Sequence, residues 1–293
     1  MTTRRVEITR PDKPLWPMLG ITKQAYADHL AAVAEHLLPW LHERPLSVIR
    51  APDGVDGERY FQKNTPTYAP RWVRTVTIPA PSAGRDVAYT VCNDRDTLTW
   101  LGNQAALEFH PAPVRRDRLD RPDLLVVDID PPDDAFDAAV EVAILVLETL
   151  DDLGLEPLVK TTGGKGLHVV VPIVRTVSAD GLRRVAARLA ALVRDRRPDL
   201  VTTEFRKAKR GGRVMLDPSR NGPGATLVAP YSPRVRAEGT VSFPVRASDL
   251  TRIAPGDFTL ATVRKLLSRP AVRRWTEAAH GRGQRLPRGL VDD

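Results

Sequence analysis

Residues 124–132, LLVVDIDPP, put two acidic residues at the end of a run that otherwise has the composition of a buried β-strand. Side chains two positions apart in a strand point to the same face, so Asp128 and Asp130 present their carboxylates together. The two prolines end the strand directly after the acids. The stretch therefore predicts a pair of carboxylates at the carboxyl end of a strand, where open sheets commonly bind ligands.

A third acidic residue ends a second apolar run. The stretch 213–221, RVMLDPSRN, brings Asp217 to the end of a predicted strand and again continues into a proline. Carboxylates that lie close together in a low dielectric stay ionised only when cations lie between them. Three of them on neighbouring strand ends could hold two divalent ions about 3.5–4 Å apart, as in nucleotidyl transfer. The alternative is that these acids only cap the helices that follow.

Residues 160–169, KTTGGKGLHV, predict a glycine-rich turn between two strands. The turn is not a P-loop, because Lys165 is followed by glycine and a strand follows where a P-loop has a helix. Backbone amides near Gly163, the hydroxyl of Thr162, the ammonium of Lys165 and the imidazole of His168 would suit an anion. A plain β-hairpin is the alternative.

Two stretches are strongly basic. Residues 205–213, FRKAKRGGR, carry five cations and no acid directly before the strand of Asp217, which suits a triphosphate or a nucleic-acid backbone. Residues 264–288 carry eight basic residues and one acid. The alternatives are a solvated loop for the first stretch and a solvated terminal helix with a frayed end for the second.

The composition narrows the class of protein. The 293 residues include 44 Lys and Arg against 36 Asp and Glu, and the formal charge of +8 favours a polyanionic partner such as nucleic acid. A single cysteine, Cys92, excludes an intramolecular disulfide framework and a cysteine-rich zinc site. The sequence has neither a signal peptide nor an apolar run of membrane-spanning length, so we expect a cytoplasmic protein with no membrane partner.

Helices and strands alternate along the chain, which favours an α+β fold with helices on one side of a sheet. The predicted helices are 22–42, with Thr22 as N-cap and Pro39 shortening or kinking it, 94–108, 134–153 and 178–194. The predicted strands are 46–50, 59–63, 73–79, 87–92, 124–130, 157–161, 167–174, 213–217 and 225–229. We expect three packed modules of a single domain: 1–110, 111–262 and a basic terminal helix and tail, 263–293.

Several of these stretches together resemble the polymerase domain of bacterial ATP-dependent DNA ligase D, a member of the archaeo-eukaryotic primase superfamily. The resemblance rests on DIDP (128–131), TTGGKGLHVVVP (161–172), GRVMLDPSRNGPGATLVAPYSPR (212–234), PDKPLWPMLGITK (11–23), RYFQKNTPTYAPRW (59–72) and WLGNQAALEFHP (100–111). These motifs follow the family's order, and the resemblance covers residues 6–260. It implies a primase-like core, with an RRM-like antiparallel or mixed sheet packed with an N-terminal α/β module.

The resemblance also implies roles for individual residues. Asp128, Asp130 and Asp217 would be catalytic and would bind two divalent ions, Mn²⁺ or Mg²⁺. The residues that match the family's nucleotide pocket are His110, Thr162, Gly163, Lys165, His168, Arg210 and Arg234. The residues that match DNA-binding positions are Lys13 and Lys23, which would hold a 5′-phosphate, Tyr60 and Phe61, which would stack on template bases, and Lys63.

The sequence departs from the family pattern at a few positions. Thr162 stands where serine is more usual, Tyr60 replaces a common phenylalanine, and Met215 with Leu216 replaces a β-branched pair. None of these changes removes a catalytic group. The K-x-D-G nucleotidylation motif of a ligase does not occur in these 293 residues, so we expect no ligase module.

The resulting expectation is a DNA-dependent nucleotidyltransferase that adds nucleotides, preferentially ribonucleotides, to 3′-ends at gaps and double-strand breaks in non-homologous end joining. Its partners would be DNA with a 5′-phosphate, NTP or dNTP, and possibly Ku and a separate DNA ligase at the nucleoid. Three alternatives stay open: a primase that starts chains without a primer, a catalytically idle scaffold that binds DNA ends, and a metal-dependent phosphoesterase. The phosphoesterase ranks last because the chain lacks a histidine-rich ligand pattern.

Overall fold

The computed structural model describes residues 6–80, 84–133 and 135–291. The chain divides into two compact units whose segments interleave along the sequence. Unit 1 comprises residues 1–117, 226–242 and 258–267, and unit 2 comprises residues 118–225, 243–257 and 268–293. This division differs from the expected modules, which followed one another along the chain.

Thirteen strands and seven α-helices are defined within the described residues. The strands are β1 (Pro14–Trp16), β2 (Ile21–Thr22), β3 (Leu46–Arg50), β4 (Tyr60–Gln62), β5 (Arg74–Ala80), β6 (Arg85–Val91), β7 (Ala106–Pro111), β8 (Leu124–Asp130), β9 (Leu158–Thr161), β10 (Leu167–Pro172), β11 (Val201–Thr202), β12 (Val214–Asp217) and β13 (Pro244–Val245). The helices are α1 (Lys23–Leu41), α2 (Arg95–Asn103), α3 (Phe136–Asp152), α4 (Ala179–Arg196), α5 (Val263–Leu266), α6 (Pro270–His280) and α7 (Arg288–Val291).

Helix α1 of unit 1 begins and packs as its sequence predicts. The Thr22 hydroxyl accepts a hydrogen bond from the Ala25 amide at 3.3 Å, which satisfies one of the free donors of the first turn. The apolar residues repeat at helical spacing and are buried along one face. Pro39 lies inside the helix, which ends two residues later at Leu41.

The sheet of unit 1 has the order β4-β3-β6-β5, and β7 also pairs antiparallel with β3. The predicted helix 94–108 is wrong in its second half, because α2 ends at Asn103 and β7 begins at Ala106. Between them Ala105 has a φ of 53°, a left-handed conformation that interrupts the helix. Residues 106–109 are all buried, and such a short buried run cannot be assigned to helix or strand by periodicity.

The sheet of unit 2 has the order β11-β12-β8-β10-β9-β13, and all its pairs are antiparallel except β11 with β12. The chain order β8-α3-β9-β10-α4-β12 is that of the split βαβ motif. Helices α3 and α4 contact the sheet and each other. The predicted α+β architecture is confirmed. Residue 134, where the helix was predicted to begin, lies outside the described residues, and α3 begins at Phe136.

The predicted strand 225–229 is absent from the part of the chain that the structure describes. This segment belongs to unit 1 from residue 226 onward. The amides of Leu227 and Ala229 donate to the carbonyls of Pro111 and Phe109, at 3.2 and 2.9 Å. The segment therefore lies along β7, but the proline that follows Ala229 has no N–H with which to continue a ladder.

No helix within the described ranges is both long and apolar enough to cross a lipid bilayer. The largest fully buried side chains include Trp16 and Tyr26 in unit 1 and Trp275 in unit 2. Each unit therefore has apolar residues of its own to bury.

His29 of α1 is a polar side chain within the core of unit 1. It is 4% exposed, and neither ring nitrogen has a hydrogen-bond partner among the residues described. Burial, helped by the charge of Arg264, lowers the pKa of His29 from 6.5 to about 4. The unfolded chain therefore binds more protons than the fold between these two values, and stability falls as the pH is lowered through that window.

Replacing His29 with leucine should remove this part of the acid sensitivity. We expect the free energy of unfolding of the wild type to fall by on the order of 3 kcal/mol more than that of His29→Leu between pH 6.5 and 4. Urea unfolding at several pH values measures the difference. The exposed His280 provides the control, because His280→Leu should keep the wild-type profile, and parallel profiles for all three proteins would contradict the assignment.

Candidate functional site

The three predicted carboxylates lie on adjacent strands of unit 2. The register of β12 against β8 places Asp217 directly opposite Asp128, and Asp130 lies two residues further along β8 on the same face. The neighbouring residues Val127 and Ile129 are buried on the opposite face. The strand-end placement predicted from the sequence is therefore confirmed.

The row that contains these acids continues across the sheet. Asp128 lies opposite His168 of β10, and His168 lies opposite Lys160 of β9. Lys160 is fully buried and His168 is 5% exposed. Asp217, Asp128, His168 and Lys160 thus form one cross-strand row with acids at one end and an ammonium at the other.

Basic side chains contact all three carboxylates. Arg220 Nε lies 3.0 Å from Asp128 Oδ2 and 3.5 Å from Asp217 Oδ2. Arg210 Nη1 lies 2.8 Å from Asp130 Oδ2. With the acids turned to these partners, no three His, Cys, Asp or Glu side chains in the described ranges converge closely enough to hold one metal ion.

The ionisation of Asp128 and His168 follows from their surroundings. Burial alone would raise the pKa of Asp128, but the hydrogen bonds and charges of His168 and Arg220 outweigh it and lower the pKa to about 2. Burial and the charge of Lys160 lower the pKa of His168 to about 4, against the opposing effect of Asp128. At neutral pH Asp128 is therefore an anion and His168 is neutral, with Nε2 3.3 Å from Asp128 Oδ1.

The predicted glycine turn joins β9 to β10. The hydroxyl of Thr162 donates to the Gly166 carbonyl at 3.0 Å and accepts from the Gly164 amide at 3.2 Å. Gly163 has a φ of 67°, in the left-handed region that favours glycine. A Cβ on Gly166 would lie 2.3 Å from the carbonyl oxygen of Ile129, so only glycine lets the turn approach the acid-bearing strand this closely.

Lys165 and Arg210 bring the turn and the basic loop to Asp130. Lys165 Nζ lies 3.4 Å from Asp130 Oδ1 and 3.1 Å from Asp133 Oδ1. Arg210 is 8% exposed, and its guanidinium also donates to the carbonyls of Glu204 and Phe205, both at 3.1 Å. Of the five cations in this loop, Arg210 is therefore the one fixed against the acids.

Two predicted nucleotide-pocket residues meet at a buried acid of unit 1. Glu108 Oε2 lies 2.9 Å from His110 Nε2 and 3.1 Å from Arg234 Nε, while its Oε1 accepts from the Val235 amide at 2.7 Å. Glu108 is 3% exposed, and burial alone would raise its pKa. These hydrogen bonds and charges outweigh burial and lower the pKa of Glu108 to about 2.

Lys13 and Lys23 line a cleft of about 370 Å³ in unit 1. Lys13 Nζ pairs with Asp53 at 2.7 Å, and Lys23 Nζ donates to the Thr9 carbonyl at 2.8 Å. Burial, together with the charges of Lys13, Arg10 and Arg50, lowers the pKa of Lys23. The other residues of this lining include Arg10, Arg50, Asn103 and Gln104. The cleft gathers four cations, which suits an anion.

The predicted base-stacking residues lie on the edge strand β4. Tyr60 and Phe61 are 46% and 47% exposed, and Lys63 just beyond the strand is exposed as well. The guanidinium of Arg50 lies 5.7 Å from the centre of the Tyr60 ring, and Phe61 meets the His110 ring edge-on at 5.7 Å. Both aromatic side chains are thus held by neighbours of unit 1 while part of each ring stays open to solvent.

Sequence reasoning missed three residues that organise these sites. Glu108 was assigned to the end of a helix, so its pairing with His110 across one intervening residue was not recognised. Arg220 and Asn221 lie in the sequence motif around Asp217, but the sequence predicted no role for either residue. Asn221 is fully buried, and its side chain accepts from the Val126 amide and donates to the Val126 carbonyl, both at 2.8 Å. It therefore ties the turn after Asp217 to β8.

Comparison with known proteins gives consistent matches. Residues 22–272 match the family model described as LigD, primase-polymerase domain. The chain is 35% identical over 243 residues to the multifunctional non-homologous end joining protein LigD of Mycolicibacterium smegmatis, covering 82% of this chain and 32% of that protein. It is 33% identical over 262 residues to the bifunctional non-homologous end joining protein LigD of Bacillus subtilis, covering 88% and 42%.

A solved structure matches over nearly the whole chain. It is the polymerase domain from Mycobacterium tuberculosis ligase D in complex with DNA, with a TM-score of 0.86 and 32% sequence identity. The match covers 94% of this chain and 99% of that one. The curated relatives are longer, and the chain spans 32% and 42% of the two named above.

Replacing Glu108 with glutamine keeps the shape of the side chain but removes the charge that pairs with His110 and Arg234. We expect a loss of about 3 kcal/mol in the free energy of unfolding at pH 7, because the ion pair between Glu108 and the half-buried Arg234 is lost. The stabilisation from ionised Glu108 is present above pH 4.5 and is lost as the pH falls towards 2, so the variant should lack this component.

Urea unfolding at neutral and acidic pH measures both effects. Glu238 is an exposed acid of the same unit, and Glu238→Gln should leave stability within about 0.5 kcal/mol of the wild type. If Glu108→Gln is as stable as this control, the ion pairs of Glu108 with His110 and Arg234 do not stabilise the fold.

Proposed function

Because the chain belongs to the LigD primase-polymerase domain family, we propose that it is a DNA-dependent nucleotidyltransferase that extends 3′-ends. It would add nucleotides, preferentially ribonucleotides, at gaps and double-strand breaks during non-homologous end joining. The observation that carries the proposal is the register that sets Asp217 opposite Asp128, with Asp130 on the same face at the strand end. The relatives are non-homologous end joining proteins and the matching structure is a complex with DNA, which supports the biological setting.

The donor atoms at this strand end are of the type that binds divalent metal ions, and the carboxylates would have to leave Arg210 and Arg220 to converge on one. Carboxylate oxygens are the ligands that Mg²⁺ and Mn²⁺ prefer, and the low pKa of Asp128 keeps it ionised at neutral pH. We propose that Asp128, Asp130 and Asp217 bind two such ions. When bound, the ions would lower the pKa of the primer 3′-hydroxyl and neutralise charge on the leaving pyrophosphate.

The basic residues around the acids would then serve the triphosphate. Lys165 has a flexible side chain shared between two carboxylates, so it can turn to a phosphate when one is present. Arg210 is held by two backbone carbonyls and would offer a fixed guanidinium beside Asp130. The nucleotide contacts proposed in unit 2 are Thr162, Gly163, Lys165, His168 and Arg210, and those proposed in unit 1 are His110 and Arg234. Within this set Glu108 would orient His110 and Arg234.

Template and break would be recognised by unit 1. We propose that Lys13 and Lys23 bind the 5′-phosphate, since their cleft collects four cations. Tyr60 and Phe61 are exposed and would stack on template bases, with Lys63 nearby for the backbone. We propose that a protein with these contacts acts at the nucleoid in the cytoplasm, with Ku and a DNA ligase activity as its partners.

One rival is a scaffold that binds DNA ends without catalysis. A scaffold does not require a half-buried, ionised Asp128 opposite a second acid, because maintaining such a pair is costly. The arrangement therefore favours catalysis. A second rival is a primase that starts chains without a primer. Such an enzyme would synthesise a strand on a single-stranded template supplied with NTPs alone, and a gap-filling enzyme would not.

Replacing Asp128 with asparagine should abolish extension of a gapped duplex, with a loss of at least about a hundredfold, while leaving DNA binding near the wild-type level. The measurement is incorporation of labelled nucleotide with Mn²⁺. Asp180→Asn, which removes an exposed acid of the same unit, is the matched control and should stay active. Retained extension by Asp128→Asn would refute the catalytic assignment. The same assay with NTP and with dNTP tests the proposed preference for ribonucleotides. Faster incorporation of dNTP would contradict that preference.

Replacing Lys23 with methionine should remove discrimination for a 5′-phosphate. The wild type should bind a gapped duplex with a 5′-phosphate about tenfold to a hundredfold more tightly than one ending in a hydroxyl, because a charged hydrogen bond contributes about 1.5–3 kcal/mol. The variant should bind both duplexes alike. Fluorescence anisotropy with the two duplexes measures the ratio of their affinities. An unchanged ratio in Lys23→Met would mean that Lys23 does not bind the 5′-phosphate.

A further inference from the structure

The last part of unit 2 is rich in arginine. We call residues 268–291 the C-terminal arm, and it contains α6 and α7. Its arginines are Arg269, Arg273, Arg274, Arg282, Arg285 and Arg288, and all six are exposed. The arm has a single acidic residue, Glu277. Within these residues six exposed arginines stand against one acid.

The arm is firmly attached to the sheet of unit 2. Trp275 of α6 is 1% exposed, and its indole N–H donates to the carbonyl of Val159 at 3.1 Å. Beyond α6, the amide of Gln284 donates to the Pro172 carbonyl, and the Gln284 carbonyl accepts from the Val174 amide, both at 2.9 Å. The arm thus continues as an extended segment beside the end of β10.

Further contacts fix the rest of the arm. The side-chain amide of Gln284 bonds to both the amide and the carbonyl of Glu156, at 2.7 and 2.8 Å. In α7, Leu290 is 2% exposed, and its carbonyl accepts from Arg188 Nη1 at 3.1 Å. The interpretation of this region as a frayed end is therefore wrong, because its backbone is held at several points while its arginines project outward.

The arginines of the arm differ in their partners from the group of arginines at the end of α4. At the end of α4, Arg194, Arg196 and Arg197 each contact a carboxylate within 3 Å. Arg269 lies near enough to Asp249 to lower its pKa. Among the residues that the structure describes, Arg273, Arg274, Arg282, Arg285 and Arg288 form no ion pair with any acid. Their charges are available to a ligand, and arginine is well suited to phosphate.

The Gln284 segment of the arm is separated from the acid site within unit 2, whereas α6 contacts Val159, next to Lys160 of the cross-strand row. Gln284 bridges to Ile173, five residues beyond His168 along β10, which corresponds to about 17 Å of extended strand. A triphosphate held near His168 would not extend to this end of the sheet. A ligand that spans the arm from α6 to the Gln284 segment is therefore a polyanion longer than a nucleotide.

The composition of the arm distinguishes duplex from single-stranded nucleic acid. Proteins that bind single strands combine positive charge with exposed aromatic rings on which bases stack. The arm contains one tryptophan, no tyrosine and no phenylalanine, and that tryptophan is buried. Without a stacking surface, the arginines can engage the phosphate backbone of a duplex, which requires no access to the bases.

We propose that the C-terminal arm is a second DNA-contact surface, which binds the phosphate backbone of duplex DNA without sequence preference. The inference goes beyond the proposed function, because it requires neither nucleotide, metal ion nor a 5′-phosphate. Its physical basis is an anchored backbone that displays exposed arginines without acid partners among the described residues.

The test is a triple variant, Arg273→Gln, Arg282→Gln and Arg285→Gln, in the full chain. Binding is measured by fluorescence anisotropy with a blunt duplex of about 20 base pairs that lacks 5′-phosphates, in EDTA, between about 50 and 200 mM salt. The expected result is at least about a tenfold loss of affinity at low salt. The slope of log K against log salt should also become shallower by about 2–3, since each lost phosphate contact contributes about 0.9.

Two controls make the outcome decisive. The triple variant Arg194→Gln, Arg196→Gln and Arg197→Gln removes the same charge from the same unit, but at residues already paired with acids. It should keep the wild-type slope, and so should the arm variant in which the three arginines become lysines. Melting temperatures establish that all variants are folded.

Equal slopes for the arm variant and the paired-arginine variant would overturn the proposal. Loss of binding to poly-glutamate with an unchanged DNA slope would also overturn it, and would assign the arm to an acidic protein. These results are independent of catalysis. Absence of nucleotide incorporation by the wild type would refute the proposed function, while the salt dependence of duplex binding would still decide the role of the arm.

Discussion

The repulsion between Asp128 and Asp217 is the constraint on which unit 2 depends. The strand register sets these carboxylates directly opposite each other, at a position where water can screen them only in part. The surroundings supply the compensation. Arg220 lies between the two acids, and His168 contributes a hydrogen bond as a neutral ring. The cost of gathering negative charge is therefore offset by cations drawn from separate parts of the chain.

The same requirement explains the local structure around the acids. The chain turns sharply after Asp217, whose carboxylate accepts from the Ser219 amide, and Asn221 bonds to both backbone groups of Val126. This turn delivers Arg220 to the acids. On the other side, the close approach of Gly166 to β8 brings Lys165 to Asp130. The backbone geometry of these two turns thus determines the positions of Arg220 and Lys165 beside the acids.

The sequence revealed some of these features and concealed others. Alternation along β8 was sufficient to place Asp128 and Asp130 on one face, because a strand has a fixed period of two. Glu108 was hidden since a buried strand of mixed composition follows α2 without a proline or glycine between them. The pairing of Arg220 with two acids could not be foreseen, because it depends on a side-chain direction set by Asn221. Partners distant in sequence leave no periodic signal.

The interleaving of the two units has a consequence for how such a chain can be divided. A fragment that stops at residue 117 would retain Glu108 and His110 but would lose Arg234 and the Val235 amide, which belong to the segment 226–242. It would also leave the carbonyls of β7 without the amides that arrive from that segment. No single cut yields either unit intact. Experiments that recombine, permute or split the chain must therefore keep the segments of both units together.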